Sequence, residues 1–368
     1  MSNLQTPFRY DFVGSFLRPE KLKKARRQFN EGKIDAAALK KVEDEAITEL
    51  VSKIKELGYH VITDGEFRRA TWHLDFMWGF DGIGHTPTKT GLPFHGEAAM
   101  VDDTYIVGKI GLTGEHPFVD HFRFVKALED ENTIPSPAQF LAQFTMPFNR
   151  GCTEKHYPNE QELVNDIVAA YGKVIDDLYA AGCRNLQLDD CTWGMFADKI
   201  GHTLYGTTRE GIVEFQKAHK DINDKVIANA PKDMIINTHV CRGNFHSTYA
   251  SEGAYDSVAD ILFGEENVNA YFLEFDDERS GGFAPLAKVS GEKKVVLGLI
   301  TTKSPVLEDK QLVIDRIHDA AKYIPLERLY LSPQCGFASC EIGNKLTEEE
   351  QWAKLRLVKE VAEEVWGK

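Results

Sequence analysis

The 368-residue sequence lacks features that define several large classes of proteins. It has no run of 18 apolar residues, and its first 20 residues have neither the basic start nor the apolar core of a signal peptide. Six cysteines are too few for a disulfide scaffold in so long a chain. We therefore expect a cytoplasmic protein whose cysteines are core residues, metal ligands or nucleophiles. Cys152, Cys183 and Cys191 are interpreted as core residues.

Positive charge is also scarce. The sequence has 43 basic against 57 acidic residues, which gives a formal net charge of -14. Nucleic acid and anionic membranes repel such a chain, so we expect neither as a partner. There are only 14 prolines and no biased tract, while 42% of the residues are apolar. A large folded core with little disorder is expected.

Short β-rich runs recur along the chain, and most of them precede a helical pattern. Nine such runs cover residues 11–16, 60–66, 105–112, 133–137, 185–190, 234–241, 270–275, 294–301 and 329–335. Residues 37–58 and 160–182 repeat apolar positions three and four apart, as amphipathic helices do. Continuous apolar strands separated by such helices indicate parallel strands with helices outside them.

Eight such units would close a (β/α)8 TIM barrel, as a single domain over residues 1–368. The run at 105–112 is one too many. We assign it to a hairpin in an inserted excursion, residues 67–130, after the second strand. The alternative is an open doubly wound sheet, but no G-x-G-x-x-G motif opens a helix after any strand.

Polar side chains gather at the carboxyl ends of the predicted strands, where barrel enzymes place their active sites. His239 and Cys241 stand two residues apart at one strand end, so both project to the same side. Glu274 and Cys335 end later strands. One imidazole, one carboxylate and two thiolates suit a tetrahedral zinc ion, Zn²⁺, and argue against magnesium or calcium. Each residue could also be an ordinary buried or capping side chain, and Cys340 is a rival of Cys335.

Six segments are similar to motifs of a known enzyme family. VGSFLRP, DGEFRR, LQLDD, THVCRGNF, FLEFDDERSG and SPQCGF resemble, in order and spacing, the catalytic half of cobalamin-independent methionine synthases. The resemblance runs from about residue 11 to the C-terminus. It implies a (β/α)8 barrel with a catalytic zinc ion bound by His239, Cys241, Glu274 and Cys335. The full-length enzymes have a second barrel, for which this chain has no room.

The resemblance also implies contacts with an amino-acid substrate. They fall on the backbone of Gly14, the hydroxyl of Ser15, and the carboxylates of Glu66 and Asp189. Backbone N–H groups and a hydroxyl donate to an α-carboxylate, while carboxylates accept from an α-ammonium. The alternative is that these acidic residues cap the following helices.

The implied activity is transfer of a methyl group to the thiol of homocysteine, which gives methionine. Zinc would remove the thiol proton, since a free thiol is mostly protonated at neutral pH. We assign catalytic roles to Glu66 and Lys303. Lys303 stands where the family has a histidine that helps to protonate the departing folate. The family's pterin-stacking tryptophan has no counterpart at Gln143, although the neighbouring Phe144 could stack.

Both departures concern the methyl donor, so three donors stay open: methyltetrahydrofolate, a methylated corrinoid carrier, or a small donor such as a methylsulfonium compound. Trp72, His73, Phe76, Trp78 and Phe80 could stack an aromatic donor or enclose a cationic sulfonium by cation–π attraction, or they could form a hydrophobic cluster. The alternative functions are a decarboxylase of the uroporphyrinogen-decarboxylase barrel type and a non-catalytic zinc- or homocysteine-binding protein. A homodimer is the default expectation for such an enzyme.

Overall fold

The computed structural model describes residues 6–128 and 132–367. Its strands are β1 (Asp81–Thr86), β2 (Leu92–Pro93), β3 (Ala98–Ala99), β4 (Asp103–Gly111), β5 (Asn132–Pro135), β6 (Asn185–Asp190), β7 (Ile235–Val240), β8 (Ala270–Glu274), β9 (Lys294–Ile300) and β10 (Leu329–Pro333). Its α-helices are α1 (Glu20–Asn30), α2 (Ala36–Glu56), α3 (Leu74–Met77), α4 (Pro117–Lys126), α5 (Pro137–Thr145), α6 (Pro147–His156), α7 (Glu160–Ala180), α8 (Thr192–Ala197), α9 (Gly201–Leu204), α10 (Ile212–Asn229), α11 (Ala259–Glu265), α12 (Lys310–Ala320) and α13 (Glu348–Trp366).

The central sheet has six parallel strands in the order β10-β9-β8-β7-β6-β5. Every residue of β6 and β8 is buried, as in strands that helices cover outside and side chains fill inside. Spatial order follows chain order, so each connection is a crossover. Each carries at least one α-helix except the connection from β8 to β9, which carries two short 3-10 helices, Glu278–Ser280 and Ala284–Lys288. All six carboxyl ends therefore lie at one edge.

Two extended segments, residues 9–16 and 60–66, take the remaining strand positions. The first lies beside β10, where Tyr10 forms a parallel bridge with Leu331. The second is joined to the first, because the Phe16 N–H donates to the Gly65 carbonyl at 3.1 Å. The molecule is a (β/α)8 barrel of the TIM type, as predicted.

The prediction of regular strands in these two segments was wrong. Gly14 has a φ of 146°, and Gly65 and Glu66 have φ of 62° and 60°, which interrupts the extended backbone. The Thr63 hydroxyl accepts a hydrogen bond from the Gly65 N–H, and the Asp64 carboxylate accepts one from the Glu66 N–H. Local side-chain hydrogen bonds thus replace part of the ladder and turn the chain at the carboxyl edge.

An excursion follows the second segment. Strands β1 and β4 pair antiparallel in it, which confirms that residues 105–112 belong to an inserted hairpin. The predicted end of the excursion, residue 130, lies outside the described residues. Phe76 and Phe80 are buried and pack near Tyr171 of α7, so they belong to a hydrophobic cluster and do not face a donor.

The barrel interior is closed by a small apolar cluster of Val13, Phe272, Val296 and Tyr330. Phe272 precedes Glu274 by two residues in β8, so both side chains project to the interior. The predicted helices at 37–58 and 160–182 are α2 and α7, and Asp35 and Asn159 cap their N-termini. None of the described helices is both long and apolar enough to cross a membrane.

Candidate metal centre

Four side chains converge at the carboxyl edge of the sheet. His239 is the penultimate residue of β7 and Cys241 directly follows that strand, Glu274 ends β8, and Cys335 lies just beyond β10. One ligand atom from each lies within 4.8 Å of the others, and all four residues are buried. The Sγ atoms of Cys241 and Cys335 are 3.7 Å apart. Cys340 is not part of this cluster.

The hydrogen bonds leave ligand atoms available. The Nδ1 atom of His239 lies 3.2 Å from the Phe272 carbonyl, and its buried Nε2 has no hydrogen-bond partner among the described residues. Glu274 Oε1 accepts from the Arg242 N–H at 2.8 Å, while Oε2 has no hydrogen-bond partner there. A carbonyl that holds one imidazole nitrogen and frees the other is the usual arrangement of a metal-binding histidine.

The cluster concentrates groups that become negative on ionisation. The pKa of Cys335 is raised well above its usual value, first because the Cys241 thiol lies against it and then because it is buried. Burial lowers the pKa of His239, but Cys335 and Glu274 raise it by more. A divalent cation would replace the protons that these groups retain. The donor set, with two sulfurs, a nitrogen and a carboxylate oxygen, fits zinc.

A cavity opens beside the cluster. Its walls include Ser15, Glu66 and Asp189 together with His239, Cys241 and Cys335. The structure therefore brings three predicted substrate-binding residues and three of the four cluster residues to one cavity. Gly14 lies between the wall residues Val13 and Ser15, and its φ of 146° explains why glycine stands there.

Ser15 is held by the segment that follows Cys335. Its hydroxyl accepts a hydrogen bond from the Ala338 N–H at 3.2 Å, and its carbonyl accepts one from the Phe337 N–H at 2.8 Å. The backbone approaches so closely that a Cβ at position 336 would collide with the Ser15 hydroxyl, which explains Gly336. The first and last segments of the barrel thus meet at the site.

Glu66 and Asp189 are two buried carboxyl groups on the cavity wall. Burial raises the pKa of each to about 7. Glu66 Oε1 lies 3.5 Å from Arg69 Nη1, and its Oε2 has no hydrogen-bond partner among the described residues. Asp189 Oδ1 accepts from Gln187 Nε2 at 2.9 Å. Carboxyl groups that keep acceptor capacity beside a cavity are suited to bind an ammonium group.

Lys303 contacts the cluster at Glu274. Its side chain is only 9% exposed, and its Nζ is 3.8 Å from Glu274 Oε2. Burial lowers the pKa of Lys303, but Glu274 and Asp276 raise it by more, so the ammonium stays charged. Lys303 is not one of the described residues that line the cavity.

Sequence reasoning missed several residues here. Cys191, predicted to be an ordinary core cysteine, lies against Cys241, whose pKa is raised first by that contact. Asn244 and Ser339 also line the cavity, and Asn244 Nδ2 donates to Ser339 Oγ at 3.1 Å. Trp72, which was a candidate donor contact, lies in the same wall. The available signals were positional, because Cys191 directly follows a predicted strand end and Asn244 follows Cys241 by three residues.

The expected stacking position beyond β5 is closed. Phe144 has no exposed surface and packs edge-on against Phe140, with ring centroids 5.0 Å apart. Gln143 is buried beside it. The proposal that Phe144 stacks a donor is therefore wrong, since its ring belongs to the core.

Residues 148–364 match the profile of a family described as "Cobalamin-independent synthase, Catalytic domain". Two Bacillus subtilis proteins described as uncharacterized, YxjG and YxjH, are 44% and 42% identical over 98% of this chain and over 95% and 96% of their own lengths. A methionine synthase of Saccharolobus solfataricus is 24% identical over 88% of this chain and 86% of its own.

Solved structures agree with these matches. A candidate vitamin-B12-independent methionine synthase from Listeria monocytogenes superposes with a TM-score of 0.76 and 37% identity, over 98% of this chain and 99% of that chain. A B12-independent methionine synthase from Shewanella, solved with selenomethionine, shares the fold, with a TM-score of 0.70 and 17% identity over 96% of each chain. The chain belongs to the cobalamin-independent methionine synthase family and is a methyltransferase.

Proposed function

We propose that the chain transfers a methyl group to the thiol of homocysteine, forming methionine, and uses a zinc ion bound by His239, Cys241, Glu274 and Cys335. The observation that carries the proposal is the convergence of these four side chains within 4.8 Å, on a cavity that also has Glu66 in its wall. Family membership supports the reaction class, and the donor set supports the metal.

Bound zinc would lower the pKa of the homocysteine thiol and so supply a thiolate nucleophile at neutral pH. The protein's own groups bind and orient the amino acid. Glu66 and Asp189 would accept hydrogen bonds from the α-ammonium. The Ser15 hydroxyl already accepts from the Ala338 N–H, which leaves its proton free to donate to the α-carboxylate, beside the backbone at Gly14.

We assign Lys303 a charge-balancing role in this reaction. Its ammonium, 3.8 Å from Glu274 Oε2, offsets part of the negative charge that two thiolates and a carboxylate bring together. Because Lys303 contacts Glu274 and is not among the described wall residues, its position does not support direct proton donation to a leaving group. Glu66, by contrast, stands where it can touch the substrate.

The proposal is tested by zinc analysis and by methionine formation from homocysteine. Methyltetrahydrofolate, methylcobalamin and S-methylmethionine are compared as donors. We expect one zinc per chain and turnover with at least one donor. Cys241→Ser should lose the bound zinc and the turnover. Cys152→Ser, in α6 and outside the cluster, should keep the zinc and the turnover.

Full activity of zinc-free protein or of Cys241→Ser would overturn the proposal. Binding of zinc and homocysteine without turnover would instead favour a binding protein. Activity that depends on neither zinc nor homocysteine would favour a decarboxylase.

A further inference from the structure

Trp72 provides the large aromatic surface of the cavity. It is the one Phe, Tyr or Trp among the described residues that line the cavity. The backbone N–H of Trp72 donates to the Ser339 carbonyl at 2.9 Å, and the preceding Thr71 forms an antiparallel bridge with Cys340. These bonds fix the half-buried indole beside the segment that carries Cys335.

The indole is not already paired with a cation of the protein. Elsewhere the chain places guanidinium groups over rings, with Arg242 4.4 Å from the Tyr255 centroid and Arg279 4.2 Å from that of Tyr249. No such contact to Trp72 occurs within the described part of the chain. The ring beside it is His73, at 4.5 Å, and burial lowers the pKa of His73 to about 3, so it is neutral. A ligand cation could use the indole.

The charge of the cavity favours a cationic ligand. No lysine or arginine appears among its described wall residues, whereas Glu66 and Asp189 do. Arg69, 3.5 Å from Glu66 Oε1, and Lys303, 3.8 Å from Glu274 Oε2, offset part of the negative charge from positions off the cavity wall. The wall itself therefore favours a positively charged donor over an anionic one.

Apart from Trp72, the aromatic residues considered as donor contacts offer no platform for a large aromatic donor. Phe76, Phe80 and Phe144 are at most 4% exposed and pack in the core. Trp78 stacks on His85 of the inserted hairpin, with centroids 4.2 Å apart. The cavity is narrow, its wall includes the predicted amino-acid contacts Ser15, Glu66 and Asp189, and homocysteine must share it with the donor. The space suits a compact donor.

We infer that the methyl donor is a compact cationic methylsulfonium compound, bound with its positive charge against the indole of Trp72. This inference rests on the proposed function and names the class of its second substrate. The homocysteine thiolate attacks the methyl carbon, a new S–C bond forms, and the C–S bond of the sulfonium breaks with its electron pair staying on the departing sulfur. The negatively charged thiolate and the positively charged sulfonium thus become two neutral thioethers.

The step needs no proton donor. An amine leaving group must take up a proton, whereas a thioether leaves without one. Lys303 is not one of the described wall residues, and the wall carboxyl groups Glu66 and Asp189 are assigned to the α-ammonium of homocysteine. A sulfonium donor requires none of them to protonate a leaving group.

The test compares donors on zinc-loaded full-length protein. With homocysteine, trimethylsulfonium should release dimethyl sulfide and form methionine, and S-methylmethionine should consume homocysteine at least tenfold faster than methyltetrahydrofolate does. Trp72→Leu should raise the KM for the sulfonium by roughly 2- to 30-fold, the range expected for a lost cation–π contact, and leave the KM for homocysteine nearly unchanged. Trp72→Phe should raise the KM for the sulfonium by a smaller factor, because it keeps an aromatic ring. Trp78→Leu is the matched control and should behave as wild type.

A binding measurement supports the kinetics. Tetramethylammonium, which cannot transfer a methyl group here, should compete with the sulfonium donor in the wild type and compete several-fold less well in Trp72→Leu. This competition in the wild type keeps the test decisive even if the variants fold poorly.

Methionine formed from methyltetrahydrofolate or methylcobalamin but not from either sulfonium would overturn this inference and leave the proposed function intact. Methionine from no donor would overturn both. An unchanged sulfonium KM in a folded Trp72→Leu protein would remove Trp72 from the donor site and overturn the inference as stated.

Discussion

Replacing Cys335 by serine removes one sulfur from a cluster in which the Sγ atom of Cys335 lies 3.7 Å from that of Cys241. A serine hydroxyl stays protonated at neutral pH and cannot replace a thiolate ligand. Four-ligand zinc sites bind with about 10–16 kcal/mol at pH 7, so one of four comparable ligands contributes about 2.5–4 kcal/mol. We therefore expect Cys335→Ser to weaken zinc binding by roughly 70- to 900-fold.

Cys340→Ser is the matched control. Cys340 lies five residues further along, outside the cluster, and burial raises its pKa to about 12, so it is a neutral thiol that a hydroxyl can replace. Zinc affinity is measured by competition with a chromophoric chelator at pH 7, with circular dichroism to verify folding. Equal zinc affinity in Cys335→Ser and wild type, or a loss confined to Cys340→Ser, would refute the reasoning.

Other contacts of the cavity give separate tests. Glu66→Gln should raise the KM for homocysteine by roughly 10- to 100-fold with a much smaller change in kcat, because a hydrogen bond to a charged group is worth about 1.5–3 kcal/mol; steady-state kinetics at saturating donor measures both. The pKa values of Glu66 and Asp189, about 7 each, lie above those of the unfolded chain. Their contribution to the stability of the zinc-free protein is therefore greatest at low pH and lost as pH rises through 7, so urea unfolding should show wild type losing stability relative to Glu66→Gln between pH 5.5 and 8. Gly336→Ala should cost about 1–3 kcal/mol through its collision with Ser15, whereas Gly264→Ala, which meets no atom within 4 Å, should be neutral or stabilising by up to about 1 kcal/mol; urea unfolding of the two variants distinguishes them.

The regular part of the sheet was predictable from local patterns. Continuous apolar runs that end in polar residues mark parallel strands buried on both faces, and β6 to β10 follow that rule. The pairing of His239 with Cys241 followed from the two-residue period of a strand. Their meeting with Glu274 and Cys335 was expected from strand ends and from the family resemblance.

Contacts between distant segments were not predictable in this way. Trp72 reaches the cavity because Thr71 pairs with Cys340, more than 260 residues away, and no local pattern announces that bridge. Cys191 meets Cys241 only because β6 and β7 are neighbours in the sheet. The apolar runs at 11–16 and 60–66 favour strands, but positive φ angles at their glycines override the pattern.

The central claim is that the cluster binds one zinc ion and presents it to the substrate thiol. X-ray absorption at the zinc edge, recorded on zinc-loaded protein before and after addition of homocysteine, tests this most directly. We expect two sulfur neighbours of zinc in the free protein and three with homocysteine. A sulfur count that stays unchanged when homocysteine is added, or a zinc ion with no sulfur neighbours, would contradict it.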